Sequence, residues 1–244
     1  MITGLQFENM KISKIAFVHG LALMTFFFLS GQNTEETDTW DNELYLGNKV
    51  SAGFGNWRTS GELQVRLADD MQALDQWFIE FIASYLQWKN WELAPDYRLT
   101  IKPDQIENRP GFSVIRKDIF GKEEGKKHQL VNQVKWQADI GSGFFNNGLR
   151  YAVFYNLVLN DKFVPNLGAG VFYRWSDNFT GVQFIRAGVG LSYFIDVKHS
   201  VGVSYYLGIS DPGGNTSYQG IPVIQLIINI NKNFKYVPAK YIEF

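Results

Sequence analysis

The sequence predicts an all-β chain, an antiparallel transmembrane β-barrel of about twelve strands, with about ten as the alternative count. Three observations carry this. An export-type segment opens the chain, and alternation with period two runs through nearly everything after it. The apolar rows of that alternation end in Tyr or Trp, while the polar rows hold Gly, Ser, Asn, Gln and single charges.

The opening segment has the order of a secretory signal. Lys11 and Lys14 precede an apolar run from Ile15 to Leu29, and Ser30 and Gly31 then lead into a polar, acidic stretch. The run is shorter than the roughly 20 residues a spanning helix needs. Residues 1–31 are therefore expected to be cleaved, with an uncleaved anchor as the alternative. Met10 makes a more ordinary start than Met1, because Glu8 and the polar lead add nothing to such a segment. With no cysteine in the chain, a lipid-anchored form is excluded. A short mature segment, residues 32–39, would then lead into one barrel over residues 40–244, since no shift of composition marks a second domain.

Alternation defines the strands in order. Trp40 to Val50 makes the first, and Glu62, Gln64 and Arg66 then take the face opposite Leu63, Val65 and Leu67. Trp77, Ile79, Phe81, Ala83 and Tyr85 form an apolar row, and a turn at Lys89-Asn90 leads to Trp91, Leu93, Tyr97, Leu99 and Ile101. Phe112 to Ile119 gives the weakest pattern of the series. In the second half, Leu130, Val134, Trp136 and Ile140 oppose Gln129, Gln133, Lys135, Gln137 and Asp139. Leu149 to Leu157 oppose Arg150 and Asn156. Leu167 to Trp175 and Ile185 to Tyr193 follow, against Gly168, Gly170, Arg174, Arg186, Gly188 and Gly190. Val201 to Leu207 and Ile224 to Ile230 close the series. It falls one short of an even number, and Tyr236 to Phe244 would supply the twelfth strand. Phe244, with Ile242 two before it, is expected to act as the signal read by barrel-assembly machinery, although Lys240 and Pro238 interrupt the pattern.

A soluble barrel hides its apolar face, whereas a membrane barrel turns it to lipid around a polar lumen. The second arrangement fits here, with Trp77, Tyr85, Trp91, Trp136, Tyr173, Trp175 and Tyr193 as aromatic girdles. Inward rows would hold Glu62, Glu80, Glu92, Asp96 and Asp139 against Arg66, Arg98, Lys135, Arg150, Arg174 and Arg186. Carboxylates and bases are nearly balanced, which predicts cross-strand ion pairs in a narrow lumen. Sidedness is harder to read. The loop near Asp69 and the segments Lys102 to Pro110 and Asp211 to Gly220 are the longer connections and are favoured as extracellular. The tight turns at Lys89-Asn90, Asn160-Asp161 and Val197-Lys198 would lie on the other side, which requires ending the barrel at Asn231, with an odd count or an unseen strand before Trp40.

With 23 Lys and Arg against 24 Asp and Glu, no face is built for nucleic acid. The absence of cysteine excludes disulfides and thiolate metal sites. No metal-ligand spacing appears, and no cofactor is expected. His199 adjoins Ser200, but strand neighbours point to opposite faces and cannot form a base and nucleophile pair. His128 lies among Lys126, Lys127 and Gln129. The glycines inside strands suit bending and close packing rather than phosphate binding. The expectation is thus a non-enzymatic outer-membrane barrel with a charge-balanced lumen, whose partners are outer-membrane lipid and the assembly machinery. A small non-selective diffusion pore is one alternative; a lipid-modifying enzyme or a soluble periplasmic ligand-binding barrel is the other.

Trp40 opening the first strand, the Glu62-x-Gln64-x-Arg66 row, and the hairpin from Arg186 to Tyr193 returning as Val201 to Tyr206 resemble an outer-membrane barrel family of Bacteroidetes and proteobacteria. That family is catalogued as domain of unknown function 2490. The resemblance spans Trp40 to about Asn231 and implies fold and a Gram-negative outer-membrane location, with no activity to carry over. The chain departs from the family in having fewer Arg and Glu on its middle strands, and at Phe112-Ser-Val-Ile115.

Overall fold

The computed structural model describes residues 39–86, 90–121, 127–160, 162–177, 179–196, 198–212 and 214–231. The expected signal segment, the Tyr236 to Phe244 strand and Phe244 itself lie outside these.

The strands are β1 (Thr39–Asn42), β2 (Leu44–Phe54), β3 (Trp57–Ala68), β4 (Ala73–Tyr85), β5 (Trp91–Ile101) and β6 (Ile106–Phe120). β7 (Lys127–Gly141), β8 (Phe144–Val158), β9 (Phe163–Trp175), β10 (Thr180–Phe194), β11 (His199–Ser210) and β12 (Ser217–Asn229) complete them. From β2 to β12 each strand pairs antiparallel with its neighbour in sequence, as expected for short connections. β12 then closes the sheet on β2 in parallel, with Val223 opposite Tyr45. β1 runs along the same edge in the same register, Thr39 opposite Ser217, and Glu43 between the two pieces donates its N–H to the Gly220 carbonyl at 2.9 Å. β1 and β2 are thus one interrupted strand. The described strands total twelve, of which eleven close the barrel and β1 is the extra piece. An odd number of antiparallel strands leaves the first and last pointing the same way, so the seam has to be parallel.

Burial alternates along most of the strands, and in β3 and β5 the buried members are almost all polar. In β3 they are Arg58, Ser60, Glu62, Gln64 and Arg66; in β5, Glu92, Ala94, Asp96, Arg98 and Thr100. Trp57, Leu63, Phe81, Tyr97, Leu149, Leu167, Val189, Val203 and Ile224 are exposed. Among the described residues, buried polar and charged side chains outnumber buried apolar ones. In water this would be an inverted and unstable surface, whereas in a bilayer it is the arrangement required. The fold is that of an outer-membrane-type β-barrel.

The lumen is less uniformly polar than the sequence reading held. Tyr45, Ile82, Ala94, Ile115, Val131, Ala152, Phe154, Tyr206, Ile221 and Val223 form an apolar cluster within it, with Phe184 packed against them. The inward glycines make room for these rings. Phe172 lies over Gly148, Phe154 over Gly168 and Tyr206 over Gly188, so close that a Cβ at Gly168 would sit 2.8 Å from Phe154 Cδ1. An aromatic side chain covering a neighbouring-strand glycine is a recognised way to pin register.

Two segments read as long connections are shorter. β6 begins at Ile106, so only residues 102–105 join it to β5, and only 211–216 join β11 to β12. Pro110 misled the reading. It occupies an outward position inside β6, where its missing N–H removes one rung and pairing with β7 resumes at Gly111. The weak strand from Phe112 to Ile119 belongs to this long β6. We call the end where β2 begins the N-rim and the end where β12 finishes the C-rim. The three connections favoured as extracellular all lie at the N-rim, and the three tight turns at the C-rim. Connections at both rims are short, so loop length does not tell the ends apart.

Candidate functional site: the charged lumen

All eleven lumen charges named from the sequence occupy inward positions, because each holds the parity of its strand's buried row. At mid-height Glu80 of β4 accepts from Arg98 of β5 at 3.1 Å and from Lys135 of β7 at 3.2 Å, and Lys135 also reaches Asp96 at 2.8 Å. Lys135 thus ties together strands that are not neighbours. Glu80 is 0% exposed, Lys135 1% and Arg98 2%, so side chains rather than solvent fill the lumen at this level.

Further clusters flank this plug. Towards the C-rim, Glu92 pairs with Arg58 at 3.1 Å and with Lys117. Towards the N-rim, Asp139 pairs with Arg109 and with Arg174, the latter at 3.2 Å, and Glu107 takes Lys102 at 2.6 Å. Beside the seam, Glu62 holds Lys49 at 3.2 Å and accepts from Gln225 of β12 at 3.0 Å, which ties the closing strands together inside the barrel. Arg66 donates to Gln64 at 2.7 Å and Arg150 is 3% exposed. Arg186 lies 4.0 Å from Glu43, which also accepts from the Tyr45 hydroxyl at 2.5 Å. Paired, hydrogen-bonded charges are the form in which ions can be buried at all.

The sequence reading missed Glu43, Lys49, Arg58, Glu107, Arg109 and Lys117. Arg58 was within reach, since extending the Glu62 row back by twos passes Ser60 and lands on it. Glu107 and Arg109 were hidden by reading the start of β6 as a loop, and Lys117, inside the Phe112 to Ile119 stretch, by the weakness of the alternation there. Glu43 and Lys49 hold the inward parity of Tyr45 and Gly47, and extending that row by twos reaches both.

The aromatic side chains sort into two belts by register. At the C-rim the Trp57 and Tyr85 rings lie 4.6 Å apart, Phe163 and Tyr193 5.2 Å, and the Arg116 guanidinium sits 5.5 Å from the Trp91 ring. At the N-rim are Trp77, opposite Ile101, and the Tyr173 and Trp175 rings at 6.1 Å. Trp136 sits further down the wall, opposite Leu149 and Phe112.

The two described histidines, His128 and His199, bond to Tyr155 and Asp196. His128 faces outward, stacked 5.5 Å from the Phe120 ring, with Nδ1 2.5 Å from the Tyr155 hydroxyl. His199 sits at the C-rim turn with Nδ1 2.8 Å from Asp196 Oδ2, while Ser200 turns into the lumen. Asp196 Oδ1 also accepts the backbone N–H groups of Lys198 and His199, at 2.6 and 2.8 Å. The side-chain bond to His199, helped by those N–H groups, holds the Asp196 carboxyl down at about 2. Among the described residues, no group of three or more His, Cys, Asp or Glu is placed to hold a metal ion.

No protein-family model matches the chain, and neither does a curated protein. Among solved structures it is similar to a KdgM porin in complex with disordered oligogalacturonate, at 15% identity and a TM-score of 0.43, over 68% of this chain and 88% of that one.

Proposed function

We propose that this chain is an integral outer-membrane β-barrel without catalytic role, whose lumen is closed at mid-height by an ion-paired plug. One observation carries the reading: Glu80, Lys135, Arg98 and Asp96, drawn from three strands, neutralise one another at near-zero exposure where an open pore would hold water. An open channel keeps its charged rings hydrated so that ions can exchange with them. Here the charges are spent on each other.

In this reading the chain is exported through a cleaved signal in residues 1–31, inserted by the barrel-assembly machinery and surrounded by outer-membrane lipid as its constant partner. The motifs quoted above support membership of the family catalogued as domain of unknown function 2490. The exposed apolar rows and the aromatic belts at both rims support a membrane location.

Planar-bilayer recording of the purified, folded protein tests the plug. The expected record is silent, and long-lived channels of stable conductance would overturn the closed lumen in favour of a diffusion pore. Membrane fractionation with heat-modifiable gel migration tests location, and recovery in the soluble periplasm would sink it.

A further inference from the structure

Towards the N-rim the lumen is rich in cations. Arg66, Arg109, Arg174 and Arg186 project into this half beside Lys102, whereas Arg98, Lys135 and Arg150 lie at mid-height and Lys49, Arg58 and Lys117 lie there or nearer the C-rim. Like charges face one another across neighbouring strands: Arg98 opposes Arg109, and Lys135 opposes Arg150. Such opposition is unfavourable unless something anionic offsets it. Carboxylates do so at Arg98, Arg109 and Arg174.

Arg66 and Arg186 are less well served. Arg66 is 6% exposed, and its polar partner is the neutral Gln64, while its Nη2 is buried with no hydrogen-bond acceptor. Arg186 gives Nη2 to Gln219 at 3.2 Å and keeps Glu43 only at 4.0 Å, with Nε also lacking an acceptor. Both guanidiniums lie against one ring, at 4.1 and 5.7 Å from the Tyr45 centroid. The charges of Arg98, Arg186 and Arg109 all act on Arg66. A buried, orphaned donor calls for a bound water or ion, and where the donors are crowded cations an anion satisfies both the hydrogen bond and the charge. The planar fork of a guanidinium matches the two oxygens of a carboxylate or phosphate.

We propose that Arg66 and Arg186, flanking the Tyr45 ring, form a binding site for the carboxylate or phosphate group of a small solute entering from the N-rim. The N-rim turns carry Asp69, Asp70, Asp104, Asp177 and Asp211. These repel multiply charged anions, so the site suits a small, weakly charged one. The site goes beyond the plug proposal and does not depend on whether the barrel conducts.

Calorimetric titration of the full chain, folded in detergent micelles at constant ionic strength, with acetate in one arm and inorganic phosphate in the other, tests this. Wild type should show saturable binding of at least one probe, and the stronger arm tells carboxylate from phosphate. R66Q and R186Q should each weaken it at least about tenfold. R66K, which keeps the charge and loses the fork, should weaken it less, and K127Q at the C-rim should leave it unchanged. Absence of saturable binding of both probes to wild type overturns the proposal whatever the variants do. So does wild-type affinity in either glutamine variant. If R66Q does not fold, R186Q and R66K give the reading.

Discussion

Lys135→Met removes the charge that links Glu80 to Asp96 while keeping most of the side chain's volume. Lys135 lies 3.2 Å from Glu80 and 2.8 Å from Asp96, and its side chain is 1% exposed. Breaking a buried ion pair by deleting one partner costs about 3–5 kcal/mol, because the remaining charge stays in a poorly solvated site. A solvated pair of the same geometry would be worth only about 0–1 kcal/mol. The two cases are separable by urea unfolding from lipid vesicles, followed through tryptophan fluorescence. The expected result is a lower midpoint with unchanged slope, equivalent to about 3–5 kcal/mol. Adding E80Q should recover part of it, since a neutral amide no longer demands the missing cation. A loss below about 1 kcal/mol for K135M would mean that water fills the lumen and the plug is wrong.

Three more expectations follow from other parts of the fold. Gly188→Val places carbon against the Tyr206 ring and the Tyr205 backbone, and should cost roughly 1–3 kcal/mol by the same unfolding assay; an unchanged midpoint would mean the ring does not lie there. In the cysteine-free chain, Leu46→Cys with Ile224→Cys should form a disulfide across the parallel seam, and Val50→Cys with Ile224→Cys should not; equal yields would refute the register. Asp196 should titrate near about 2 by NMR, and a carboxyl titrating near its ordinary value would remove the turn clip. With its carboxyl held low, the clip is present above the ordinary carboxylate range and is lost as pH falls through about 2, so the protection of the Lys198 and His199 amides relative to their intrinsic exchange rates should be lost only there.

The wall of the barrel was legible in the sequence because period-two alternation is a local property. Glu62, Gln64 and Arg66 face inward whatever their neighbours do, and lipid outside preserves the contrast along the strand. Pro110 broke the pattern locally without breaking the strand, since an edge of one rung is all it removes, and with it went Glu107 and Arg109. Closure was not legible. The pairing of β12 with β2 joins residues almost a whole chain apart, and nothing within either strand says whether the seam is parallel. Nor did alternation reveal what the inward rows do to one another. Near balance of charge foretold ion pairs, but the double contact of Lys135 with Glu80 and Asp96 depends on β4, β5 and β7 curving to face each other, and the rings of Phe154 and Tyr206 over glycines depend on strand neighbours.

The most direct test of the central claim is the contact of alternate residues with lipid. Single cysteines at outward Val189 and Leu191 and at inward Ser192 and Ser204, where the change is one atom, can be read for reaction with a thiol reagent dissolved in the lipid of reconstituted vesicles. Those at Val189 and Leu191 should react fast and those at Ser192 and Ser204 slowly. Uniformly slow reaction, or alternation of the opposite phase, would contradict an apolar face turned to lipid around a polar interior.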